Sequence, residues 1–184
     1  NVMYAYIDRK KKFPVTTLLR ALGYSSDDAI MDLFGLVEDV EVNKINLKEY
    51  LERVICSDVF DKKTGEIFIN KDVKLTEDHI KQIKKAEIKK IRFLRTDEGA
   101  HGSVIANTIQ KDSARSEEDA LEAIYQQLRS GEAPDMETAK NLIDRLFFNP
   151  KRYDLGDVGR HRLNAKLGLD IALTVTTLTK EDIV

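Results

Sequence analysis

Two consecutive amphipathic stripes constrain this chain more than any other feature. Ser116 is followed three positions later by Asp119, a capping box, and then Leu121, Ile124, Tyr125 and Leu128 recur at helical spacing. Arg129, Ser130 and Gly131 break the run, and Asp135 opens a second one in which Ala139, Leu142, Ile143, Leu146 and Phe147 keep the same spacing. Isolated helices of this length are marginal in water, so each stripe needs a partner, and the short connection predicts an antiparallel hairpin that buries both. These apolar residues therefore read as core and not as a cofactor site. With 184 residues the chain can hold one ordinary domain, or one domain carrying a small insertion.

Upstream the texture is mixed. Val2 to Ile7 alternates like a strand and delivers Asp8, Arg9, Lys10, Lys11 and Lys12 to its end. Pro14 then opens a helix marked by Val15, Leu18, Leu19 and Leu22 and stopped by Gly23, and Ser25 or Ser26 with Asp27 and Asp28 starts another through Phe34. Val37 to Val42 and Ile67 to Ile69 read as strands around an Asp61 to Gly65 turn. Thr76 caps a helix carrying Ile80 and Ile83, and Ile88 to Leu94 returns as a strand. Thr96 to Ser113 is expected to be a loop with a short strand at Val104 to Ile109. The closing helix, Leu155 to Leu167, is capped by Asp154, and Thr179 with Glu181 and Asp182 sets up one more helix start. A helix start so close to the end suggests a piece of a larger polypeptide.

Composition excludes several functions. No apolar run approaches 18 residues, and the start lacks a signal-peptide core, so a cytoplasmic protein without membrane contact is expected. The single cysteine, Cys56, cannot form an internal disulfide and reads as a buried thiol. His79, His101 and His161 lie without ligand spacing, no Asp-x-Asp-x-Asp run could hold two magnesium ions, and no nucleophile sits beside a histidine at a recognisable interval. The net charge of −2 is unevenly spread: Lys71 to Arg95 holds nine basic and four acidic residues, Ser116 to Asn149 three and eight. Lys81, Lys84, Lys85, Lys89 and Lys90 read as solvated faces.

A cationic cluster follows the second stripe. In Phe147 to Leu169, Lys151, Arg152, Arg160, Arg162 and Lys166 face only Asp154 and Asp157. The order FF-x-x-x-RYDL-x-x-VGR-x-x-x-N, from Phe147 to Asn164, resembles a signature of the β subunit of bacterial DNA-directed RNA polymerase. Ile7 to Tyr24 and Ala106 to Pro134 resemble the same subunit in the same order, the three together covering less than half of the chain. Asp61 to Glu66 with the Leu-Thr-Glu helix is similar to an insertion that many bacterial β subunits carry.

The resemblance implies an α+β fold: a helical lobe (β2) domain with short strands at residues 1–35 and 96–184, interrupted by a small α/β insertion at 36–95. It implies a wall of the DNA cleft, a place beside the non-template strand, and no catalysis by the isolated chain. Magnesium would be bound by another subunit of the parent enzyme, a nucleotidyltransferase. Partners would be DNA, the β′, α and ω subunits and a σ factor, and the isolated piece would be a monomer. The expected DNA contacts are Arg9, Lys10, Lys12 and Arg129, with Asp8 orienting its neighbours. Lys10 stands where the family commonly has arginine, which keeps charge but loses the bidentate fork. Arg152, Asp154 and Arg160 are either DNA-facing or structural, with Asp154 paired to Arg152 or Arg160. A protein-docking module that recruits transcription factors through its acidic hairpin and basic insertion is the alternative.

Overall fold

The computed structural model describes residues 1–7, 11–61, 64–95, 99–129 and 135–184, and for residues 99–103 the backbone alone. In chain order it forms β1 (Tyr4–Tyr6), β2 (Lys12–Pro14), α1 (Val15–Ala21), α2 (Asp27–Leu33) and β3 (Val37–Glu41). A short 3-10 turn (Leu47–Tyr50) leads to β4 (Val54–Ile55), β5 (Val59–Phe60), β6 (Ile67–Ile69), β7 (Val73–Lys74), α3 (Glu77–Lys85) and β8 (Lys90–Leu94). The remaining elements among the described residues are helices: α4 (Gly99–Lys111), α5 (Glu117–Leu128), α6 (Met136–Phe147), α7 (Gly156–Leu167) and α8 (Lys180–Ile183). Helices with short antiparallel strands make the chain α+β, as its sequence implies. Two compact units result, one of residues 27–110 with Asn1 and one of residues 2–26 and 111–184. These bounds are wider than the 36–95 segment expected from sequence, because α2 and most of α4 belong with the strands.

The 27–110 unit is organised by a four-stranded antiparallel sheet in the order β3-β8-β4-β7. The alternation of β3 and β8 sends Val40, Ile91 and Phe93 inward, where they meet Ile55, Leu75 and the Ile80 and Ile83 stripe of α3. Thr76 and His79 form a reciprocal cap on α3, satisfying its first free N–H groups. Arg92 ties α2 to the sheet, reaching Asp32 at 3.1 Å and Asp39 at 3.0 Å. Arg53 lies over the rings of Tyr50 and Phe93 and donates to Glu38 at 2.9 Å.

Cys56 is buried in this unit. Burial, with Asp72 and Asp28 nearby, pushes its thiol up to about 11 against the opposing charges of Arg92 and Arg53. Thiol reagents at pH 8 are expected to label Cys56 slowly in the folded chain and rapidly in urea. Equal rates would contradict this placement.

Residues 99–111 correct one expectation: the segment expected to be a loop and short strand is helix α4. Val104, Ile105, Thr108 and Ile109 are β-branched, which favours a strand locally, but they recur at i, i+1, i+4 and i+5. Burial of Ile105, Thr108 and Ile109 on one helical face outweighs that propensity.

The second unit is built on α1, α5 and α6. α1 packs on α5 and α5 on α6, burying Leu18, Ala21 and Leu22 with Ala120, Leu121, Ile124, Ala139 and Ile143. Ser116 with Asp119 caps α5, and Asp135 caps α6 by accepting the Thr138 N–H at 2.7 Å. The two-stranded β1-β2 sheet closes the core with Phe13. Strand β2 was not expected, since it is three residues long and contains both a lysine and a proline.

Candidate nucleic-acid interface

The first cations of the chain are presented by the β1-β2 hairpin. Its register sets Tyr4 opposite Pro14, Ala5 opposite Phe13 and Tyr6 opposite Lys12. Because side chains alternate along a strand, the Ala5 and Phe13 pair faces the core and Tyr4, Tyr6 and Lys12 share the outer face. Lys12 Nζ lies 4.8 Å from the Tyr4 ring centroid, close enough for cation–π attraction. Asp8, Arg9 and Lys10, expected as DNA contacts or their support, lie outside the described residues.

The C-terminal end of α5 meets this hairpin. Lys11 Nζ donates to the Gln127 carbonyl, and Gln127 Nε2 donates to the Lys12 carbonyl at 3.3 Å. A cation at a helix C-terminus also complements the helix dipole. Arg129, two residues further on, caps α5 in extended conformation and is exposed. The end of α5 that leads to Arg129 is thus bonded, through Gln127, to the strand that carries Lys12, remote in sequence. Arginine's planar fork and lysine's mobile ammonium both suit phosphate oxygens. Sequence reasoning did not single out Tyr4 and Tyr6. Their signal was the tyrosine alternation around a small residue, just before the cations.

The region from Phe147 onward is arranged differently from its charge pattern. Arg160 is fully buried. Its Nε donates to Val175 O at 2.8 Å, Nη1 to Asp182 Oδ1 at 2.6 Å and Nη2 to the Thr177 carbonyl. The DNA-facing option for Arg160 is therefore corrected: this guanidinium ties the 175–182 segment to α7. Its carboxylate partner is Asp182, not Asp154. Asp154 is exposed and accepts the Gly156 N–H at 2.8 Å, a local turn that leads into α7. Arg152 is exposed at the preceding turn. Gly168 ends α7 in the left-handed conformation, and Asn164 holds the returning chain through Ile171 O at 2.7 Å.

Asp182 is pulled in two directions: burial raises its pKa, while Arg160 and the Thr179 N–H and hydroxyl lower it, and the net shift is downward. Among the described residues no group of three or more His, Cys, Asp or Glu side chains is arranged to hold a metal ion. No helix among them is long and apolar enough to cross a membrane.

The fold is an α+β module whose β1-β2 hairpin carries exposed cationic and aromatic side chains on one face. A family model described as RNA polymerase Rpb2, domain 2, matches residues 80–184, more than half of the chain, and the chain belongs to this family. It is 45% identical to the DNA-directed RNA polymerase subunit beta of Flavobacterium psychrophilum, 48% to that of Cytophaga hutchinsonii and 46% to that of Christiangramia forsetii. Each match covers 100% of this chain and 16% of the relative, so the chain spans about a sixth of the length of these curated relatives.

Proposed function

We propose that this chain is the lobe domain of a bacterial RNA polymerase β subunit and that its β1-β2 edge contacts DNA along the cleft. The observation that carries the reading is the bonding, through Gln127, of the end of α5 that leads to Arg129 to the strand that carries Lys12, in a chain of the Rpb2 domain 2 family. The domain's task is electrostatic and mechanical: the cations hold the phosphates of the displaced strand while the buried helices keep them in place. Nucleotidyl transfer belongs to the parent enzyme, with magnesium held by another subunit, in a cytoplasmic complex with β′, α, ω and σ. The chain alone contributes no reacting group and is a monomer.

The test is the lifetime of open promoter complexes formed by the whole polymerase across a salt series. Lys12→Ala with Arg129→Ala is expected to shorten the lifetime several-fold and to make the salt dependence shallower. The log–log slope should change by about 0.7 for each single-strand phosphate that the variant no longer neutralises. Unchanged lifetime and slope in a folded variant would remove the DNA-contact assignment.

A docking role for the 27–110 unit has one observation in its favour. Phe60 and Ile67, paired across β5 and β6, are 50% and 47% exposed, an apolar tip suited to a protein partner. Phe60→Ser would then impair regulator binding and leave the salt series unchanged.

A further inference from the structure

The outer face of the β1-β2 hairpin carries two aromatic rings that phosphate contacts do not require. Tyr4 is 44% exposed and Tyr6 67% exposed, although Ile7 just beyond the same strand and Phe13 on the facing strand are buried. A strand at a core boundary can satisfy its alternation with threonine or lysine outside; here both outward positions of β1 are tyrosine. We propose that Tyr4 and Tyr6 form a stacking platform for unpaired nucleotide bases, with Lys12 engaging the phosphates beside them.

Geometry and chemistry support single strands over duplex. Aromatic rings recognise the faces of bases, and in a duplex those faces are covered by their neighbours. Residues two apart on one strand face lie about 6.6 Å apart, roughly twice the ~3.4 Å spacing of bases along a duplex strand. Each ring can therefore take a base only from a strand that has been unstacked and extended. Lys12, directly across from Tyr6, sets its ammonium over the Tyr4 ring, so a positive charge lies beside the proposed stacking positions. Alternating aromatic and cationic groups on one face is the arrangement that binds single strands with little sequence preference. The flanking cation Arg129 lies at the α5 end joined to this hairpin through Gln127.

This inference rests on the DNA-contact reading of the same edge, and its test separates the two. The whole polymerase is assembled with Tyr4→Leu and Tyr6→Leu together, with the corresponding pair of phenylalanine substitutions, or with Lys12→Ala and Arg129→Ala. Complexes are formed on a promoter with a pre-melted bubble whose unpaired strand is intact or carries an abasic residue at each position in turn. The leucine pair is expected to shorten complex lifetime by roughly 5- to 30-fold with the salt slope unchanged, and the phenylalanine pair to stay within about two-fold of the parent. Abasic residues at one or two adjacent positions should reproduce the loss in the parent and add little in the leucine pair. The platform is overturned if the leucine pair matches the parent. It is equally overturned if abasic strands weaken both enzymes by the same factor, or if the phenylalanine pair loses as much as the leucine pair. An effect of Lys12 and Arg129 without one of the tyrosines would overturn the platform alone. An effect of the tyrosines with no change of salt slope at Lys12 and Arg129 would overturn the phosphate contacts alone. Because both rings are exposed, all variants should share the parent's urea midpoint.

Discussion

Arg160→Ala is expected to destabilise the unit of residues 2–26 and 111–184 by about 3–5 kcal/mol, the range for removing one partner of a buried ion pair. The side chains of Arg160 and Asp182 are both 0% exposed, so the pair lies away from bulk solvent. The variant leaves the Asp182 carboxylate without its counter-charge and the Val175 and Thr177 carbonyls without their donor. Asp182→Asn should cost less, because Asn keeps an acceptor for the Thr179 N–H. The depressed pKa of Asp182 fixes the sign of the pH dependence. Its stabilisation is fully present above the ordinary carboxylate value of 3.8 and is lost as pH falls through the lower folded value. Urea unfolding followed by circular dichroism at pH 7 and near pH 3 should show the parent approaching the Asp182→Asn variant at the lower pH. Equal midpoints for parent and Arg160→Ala at pH 7 would mean that the clamp contributes nothing.

A second large effect is expected at Asp112. This residue is 2% exposed and accepts from the hydroxyls of Thr16 and Thr17, the latter at 2.8 Å, and from the Ala114 N–H at 3.0 Å. Arg20, also buried, lies 3.8 Å from the same carboxylate and donates to Ser25 O at 2.6 Å. Asp112 thereby fastens α1 to the start of the 111–184 segment. Asp112→Ala strips the acceptor from two buried hydroxyls and one carboxylate from beside Arg20, so a loss of about 3–5 kcal/mol is expected. Asp112→Asn keeps one acceptor and should lose about 1–3 kcal/mol. Combining Arg20→Met with Asp112→Ala should cost less than the sum of the two single changes, because the interaction between the two side chains is counted in both singles. Strict additivity would show that the two groups are not coupled.

Much of this fold is written locally in the sequence. Ser116 with Asp119, Asp135, and Thr76 with His79 announce their helices through caps, and the stripes they open fall into the two cores. What could not be read is what depends on distant partners. Helix α4 was hidden because Val104, Ile105, Thr108 and Ile109 favour strands individually and only burial along one face decides for the helix. Arg160 sits in a run of cations and looks like its neighbours Arg152 and Arg162. Its role follows from a carboxylate 22 residues later that folds back over α7. The proposed contact edge was half legible in the same sense: the charges of Lys12 and Arg129 are plain in the sequence, but the bonds that join the end of α5 to the hairpin are not. The outward placement of Tyr4 and Tyr6 depends on the register that turns Ala5 and Phe13 inward.

The central claim is that the edge formed by Lys12 and the end of α5 lies against DNA. A photoreactive amino acid placed at position 12 or 129 of the β subunit, in whole polymerase bound to promoter DNA, tests it most directly. Irradiation is expected to cross-link both positions to DNA, chiefly to the displaced strand. Cross-links from 12 and 129 to protein alone, in complexes verified as open, would contradict it.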